Sequence, residues 1–134
     1  MAESIIIHFS TENKDEVVNA LQQQFIPVGQ DEFRFPEDDY LVIVTPYEDF
    51  DKEYEENEKE EIIEKIGSTP QFSYDFEIRR TKSDEACDLL ERFIRTNFKN
   101  INYLVDDMFN LLSKEEVNQS NTFLDVYRYK KEKV

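Results

Sequence analysis

Apolar residues recur along this chain with two different periods, and the changes of period mark its elements. Ile5-Ile6-Ile7-His8-Phe9 is a β-branched and aromatic run closed by Ser10-Thr11-Glu12-Asn13. It predicts a buried first strand. From Asp15 to Ile26 the spacing turns helical, with Val17, Val18, Leu21 and Phe25 on one face and Asn19, Gln22 and Gln23 opposite. Pro27 and Gly29 stop that helix. Asp31 to Phe35 and Tyr40 to Thr45 predict two strands joined by the turn Pro36-Glu37-Asp38-Asp39. The second of these, with Leu41-Val42-Ile43-Val44 apolar on both faces, belongs at the centre of a sheet.

Phe50, Tyr54, Ile62 and Ile66 then form a helical seam within Glu48 to Ile66, missing one rung at Glu58. The first half of this stretch suits a helix or an irregular acidic loop equally. Gly67 stands where a helix C-cap wants it, before Ser68-Thr69-Pro70. Phe72 to Arg79 alternates strictly, with Phe72, Tyr74, Phe76 and Ile78 on one face of a strand. Ser83 is placed to N-cap a helix whose stripe is Ala86, Leu89, Leu90, Phe93 and Ile94. Ile101 to Val105 predicts a fifth strand closed by a turn at Asp106-Asp107. Ser113-Lys114-Glu115-Glu116 matches a capping box that opens a short helix with Val117. Thr122 to Tyr129 fits a strand or a helix, and residues 130–134 are expected to fray.

Written in order, the first eighty residues give β-α-β-β-α-β, the succession of the ferredoxin-like sandwich. The expectation is a single α+β domain over residues 1–134. Its antiparallel sheet carries helices on one face and is extended by a C-terminal helix and strand.

Composition narrows the chemistry. The chain has 134 residues, 31 acidic against 16 basic, for a formal charge of −15. That balance disfavours direct binding to nucleic acid or to an anionic membrane. Its apolar runs are far shorter than the ~18 residues of a membrane span, and the N-terminus does not read as a signal peptide, so a cytoplasmic address is expected. Eleven Phe and seven Tyr supply the hydrophobic drive that a lean apolar fraction of 39% would otherwise lack.

Catalytic and metal-binding patterns are thin. One Cys and one His are too few for a Cys/His zinc site. Two isolated glycines make no phosphate-cradling loop. Glu37-Asp38-Asp39 and Asp106-Asp107 lack the alternate-residue spacing and central Gly of a calcium loop. His8 sits among apolar neighbours in its strand, the setting of a structural histidine. Cys87 lies beside Asp88, which disfavours a thiolate. No nucleophile-elbow serine occurs. The expectation is a protein without catalytic residues, metal or cofactor.

The acid is concentrated. Between Glu37 and Lys65 lie thirteen Asp or Glu against three Lys, a net of −10 in 29 residues, leaving −5 for the other 105. Tyr40, Tyr47, Phe50 and Tyr54 lie within that stretch. Acids ringing such an element either solvate it or form a surface complementary to a basic protein, with the rings as anchors.

The segment Tyr103-Leu104-Val105-Asp106-Asp107, followed by Leu111-Leu112-Ser113-Lys114-Glu115-Glu116-Val117, resembles bacterial polymorphic-toxin and contact-dependent-inhibition immunity proteins, as does the small acidic α+β character. The match covers about fifteen residues, and no functional residue is carried over from it. The resemblance implies a non-enzymatic protein that occludes the active or substrate-binding surface of a cognate toxin domain, of basic nuclease type. The expected contacts follow from the acid and aromatic concentration: Asp38, Asp39, Tyr47, Glu48, Asp49, Asp51, Glu53, Tyr54, Glu55 and Glu56. Two other readings fit the same composition. One is a DNA-mimic inhibitor displaying carboxylates along a ridge. The other is a regulatory or adaptor homodimer joined through a free sheet face.

Overall fold

Strand β1 (Glu3–Phe9) organises the molecule, because its two sets of alternating side chains face different environments. The computed structural model describes residues 3–10, 12, 14–29, 32–35, 41–108, 110–119 and 124. The elements after β1 are α1 (Lys14–Gln24), β2 (Ile26–Val28), β3 (Glu32–Phe35), β4 (Val42–Pro46), α2 (Phe50–Glu53) and α3 (Glu56–Ile66). They continue with β5 (Phe72–Ile78), α4 (Ser83–Asn97), β6 (Tyr103–Asp106), β7 (Leu111–Ser113) and α5 (Lys114–Gln119). The seven strands form one sheet in the order β2-β3-β4-β5-β1-β6-β7, and every pairing is antiparallel.

The α+β class and antiparallel sheet match the sequence expectation, but the ferredoxin-like interleaving does not describe this order. That arrangement would seat β1 between β4 and β5. Here β5 pairs with β4 on one side and β1 on the other, and β1 takes β6 as its second neighbour. The sheet is also wider than expected. Ile26–Val28, expected as the last helical residue and the stop after it, is a short edge strand, a place where Pro27 omits no ladder bond that the sheet needs. Leu111–Ser113 adds the opposite edge.

The helices do not share one face. Ile5, Ile7 and Phe9 of β1 pack with Val42, Val44, Phe76 and Ile78 against Val17 and Leu21 of α1 and Leu90, Phe93 and Ile94 of α4. On the other face Ile62 and Ile66 of α3 cluster with Leu104 of β6, joined by Phe50, Tyr54 and Leu111. The reason is room: α1 and α4 fill the first face, so the seam of α2 and α3 finds its apolar surface on the second. This second cover reaches only part of the sheet, since Arg34, Ile43, Thr45, Asp75 and Glu77 on the same face remain half-buried.

Local signals fare unevenly. Gly67 caps α3 at φ +91, a conformation that suits glycine, and its N–H donates to the Ile63 carbonyl at 2.8 Å. The box at the start of α5 is present: Glu116 N–H donates to Ser113 Oγ at 3.2 Å and Ser113 N–H to Glu116 Oε1 at 3.1 Å. Ser83 does not cap α4. It lies inside the helix after Lys82, its hydroxyl buried. The turn at Pro36-Glu37-Asp38-Asp39 and the segment Thr122 to Tyr129, apart from Leu124, lie outside the described residues.

Candidate functional site

The seam expected across Glu48–Ile66 breaks after Glu53, and the break is where the site forms. Tyr54 leaves the helical path with an extended backbone (φ −92°, ψ 137°). Glu55 then caps α3, with Glu58 returning a bond to the Glu55 N–H at 2.9 Å. Released from the helix, the Tyr54 side chain turns toward the sheet. Its hydroxyl donates to Asp106 Oδ2 at 2.5 Å and lies 3.0 Å from Nε2 of His8.

His8 is fully buried, and its Nδ1 lies 2.7 Å from Ser73 Oγ. The strand register makes this contact inevitable, because His8 stands opposite Ser73 in the β1–β5 pairing. Burial pushes the imidazole pKa down to about 4, so the ring is neutral at pH 7. A neutral ring with its proton on Nε2 gives one continuous direction of donation, Ser73 to His8 to Tyr54 to Asp106. Tyr47, Phe50 and Tyr54 pack edge-on to the ring at centroid distances of 6.3, 5.7 and 5.5 Å. The network thus clamps α2 and its flanks onto the sheet.

Asp106 is buried at the end of β6. Burial raises its pKa, while the bonds from Tyr54 and from Met108 N–H oppose that rise. The Met108 N–H donates to Oδ1 at 2.8 Å, and Asn110 N–H donates to Asp107 Oδ1 at 2.6 Å. The two aspartates therefore cap the turn, as their place after a strand suggests. Met108 itself sits at φ 73° with its side chain exposed.

Over this network opens a groove of about 440 Å³. Ile6, Pro46, Tyr47, Tyr54 and Met108 line it together with the carboxylates of Glu48, Asp49, Glu53, Glu58, Asp75 and Asp106, the last two standing on either side of Ile6 in the sheet. A neighbouring hollow shares Tyr54, Glu58, Asp106 and Met108 and continues over Asn57, Glu61, Lys65 and Glu116. Tyr47 donates to Glu53 Oε2 at 2.8 Å. Burial, then that bond and the nearby acids, push the Tyr47 hydroxyl well above its ordinary pKa; burial and Asp106 do the same to Tyr54. Asp75 is held above the usual carboxylate range by burial, partly offset by Ser4 Oγ, which donates to its Oδ2 at 3.3 Å.

Of the contacts expected from sequence, Tyr47, Glu48, Asp49, Glu53 and Tyr54 meet at the groove. Asp51 and Glu56 stand exposed outside it, sharing Lys59 at 3.7 and 3.6 Å. Glu55 is exposed and serves as the α3 cap. Asp38 and Asp39 lie outside the described residues. Sequence reasoning missed His8, Asp75 and Asp106 as members of this site. The signal for two of them was present: if Phe72, Tyr74, Phe76 and Ile78 face the core, Ser73 and Asp75 must face away, and the same parity puts His8 opposite Ile7 and Phe9. Nothing in the sequence marks Met108. Among the described residues no group of three or more His, Cys, Asp or Glu is arranged to hold a metal ion, and no helix is long and apolar enough to cross a membrane.

No protein family, no curated protein and no solved structure matches this chain.

Proposed function

We propose that this is a non-enzymatic binding protein that receives a basic protein partner on its α2–α3 side, as an immunity protein receives a cognate toxin domain. One observation carries the reading: carboxylates from α2, α3, β5 and β6 converge around two tyrosines in a single concave site. Carboxylates brought close without cations between them repel one another, and a positively charged surface relieves that repulsion. The neutral, fully buried His8 fits a supporting role, holding the tyrosines in place beneath the groove. A concave site also favours one dedicated partner over the DNA-mimic reading, which calls for carboxylates along a convex ridge.

The test is direct. The product of the neighbouring gene, where it encodes a toxin domain, is purified as a catalytically dead variant and titrated against the wild type and a Glu48→Lys/Asp49→Lys/Glu53→Lys/Glu56→Lys variant. Reversal is expected to weaken binding by at least a hundredfold at low salt, and by far less at high salt, as screening predicts. Equal affinity of the two proteins at both salt concentrations overturns the proposal.

A further inference from the structure

Between β4 and α3 the chain passes over the sheet without joining it. Tyr47 N–H donates to the Ser73 carbonyl at 2.9 Å, and among the described residues this is the last backbone bond to the sheet before α3. The N–H groups of Lys52 and Glu53 return to the Asp49 carbonyl at 3.1 and 2.8 Å, inside the segment itself. A helix of four residues is not stable on its own bonds, and no residue of α2 is buried. Side chains therefore hold this segment down.

Those side chains converge on one point. The Tyr47, Phe50 and Tyr54 rings all pack on His8, and the Tyr54 hydroxyl reaches over to Asp106 on β6. Phe50 and Tyr54 are only half-buried. Asp51, almost fully exposed, lies 3.7 Å from Lys59 of α3, a pair that adds little. Open space lies on both flanks. The groove extends along the strands toward Ser4, Ile6 and Asp75, and a second hollow of about 360 Å³ extends toward Lys14 and Thr69 to Phe72. His8 and Ser73 stand opposite one another between them, and Pro46, Tyr47 and Glu48 line both.

We propose that Glu48–Tyr54 is a strap that swings off the sheet as one unit, pivoting on Tyr47 and Glu55, with the Tyr54 hydroxyl as its latch. Opening removes the segment that divides the two hollows and leaves one trough across β1 and β5, in which the His8 imidazole and the Ser73 hydroxyl meet water. Both pivots are anchored: Tyr47 by its N–H on the sheet, and Glu55 as the cap of α3. The movement breaks no sheet bond. It gives up the contacts of half-buried rings and the Tyr54 junction, and segments so lightly held open first in a native protein. The side that a partner meets therefore has two forms, whatever the charge of that partner.

His8 is the sole histidine of the chain, so its modification reports opening at one place. The full chain at pH 7 is treated with diethylpyrocarbonate, which acylates neutral imidazole, and the peptide carrying His8 is followed by mass spectrometry. Its rate, divided by that of N-acetyl-histidine methylamide, gives an opening constant for His8. Hydrogen exchange at the slowest amides of β1 and β5 gives the constant for unfolding of the sheet. The His8 constant is expected to be at least tenfold the larger. It should stay nearly level in subdenaturing urea while that of the sheet rises steeply, because the strap uncovers little surface. Tyr54→Phe should raise the His8 constant at least tenfold. Equal constants with equal urea dependence overturn the proposal, since His8 is then reached only by unfolding, and this wild-type comparison decides the strap even where Tyr54→Phe fails to fold. An unchanged His8 constant in a folded Tyr54→Phe overturns the latch.

Discussion

The Tyr54 hydroxyl donates a hydrogen bond to Asp106 across 52 residues of chain, at 2.5 Å, while standing 3.0 Å from Nε2 of His8. One phenol thereby joins the end of α2 to β1 and to β6. Tyr54→Phe keeps the ring packing and removes only that junction, leaving a buried acceptor and a buried donor unpaired. A loss of about 2–3 kcal/mol in unfolding free energy is expected. Urea denaturation followed by circular dichroism measures it. Hydrogen exchange should show the loss as faster opening of α2 before the rest of the fold, as a weakened local unit would.

The His8 ring sets a pH dependence. Its folded pKa of about 4 lies below its ordinary value of 6.5, so between these values the unfolded chain binds a proton that the native state refuses. Stability from this group is therefore whole above pH 6.5 and declines as pH falls toward 4, by about 3 kcal/mol in all. His8→Gln removes that proton uptake. The stability gap between wild type and His8→Gln should be widest at pH 7 and narrow on acidification, and a gap independent of pH between 7 and 4 would contradict the assignment.

Asp75 acts with the opposite sign. Its pKa is raised in the fold by burial, so its ionised form destabilises the native state at neutral pH, and this penalty fades as pH falls into the carboxylate range. Asp75→Asn should therefore be more stable than wild type at pH 7 and lose that advantage near pH 3.

Met108 holds a left-handed backbone with its side chain exposed. A φ of 73° strains a side-chain-bearing residue by roughly 1–3 kcal/mol, and glycine adopts it freely. Met108→Gly is expected to hold or raise the thermal midpoint. A clear fall in the midpoint would show that the Met108 side chain supports the fold.

Leu124 is held by a buried carboxylate. Glu91 on α4 accepts from Leu124 N–H at 2.8 Å, and the Leu124 side chain is fully buried. Glu91→Ala should cost about 1–3 kcal/mol and admit limited proteolysis near Leu124, whereas Glu91→Gln should restore most of the protection. Mass spectrometry of the first cleavage products distinguishes these outcomes.

How much was legible in the sequence depended on whether a signal was local. β1, β5 and α4 were readable because periodicity declares a buried face, and Gly67 and Ser113 because caps need particular chemistry at fixed positions. The order of strands was not readable, since pairing joins residues as distant as Phe9 and Phe72. β2 escaped because Pro27 argues against a strand everywhere except at an edge, and the edge is known only once the sheet is assembled. The side occupied by α3 was hidden for a similar reason: Leu104 is flanked by Tyr103 and Val105, so an all-apolar run does not reveal that its faces meet different helices. The acidic stretch supplies part of the groove's lining, yet Asp75 and Asp106 reach it from strands that the charge count does not single out.

Two alphabets are written into β1. Ile5, Ile7 and Phe9 specify that the chain folds, while Ser4, Ile6 and His8 specify what the folded chain presents on its other side. Substitutions in the second set act on the groove and its hydrogen-bonded support, and those in the first act on the core. A one-residue shift within the strand would exchange the two sets and erase both messages at once.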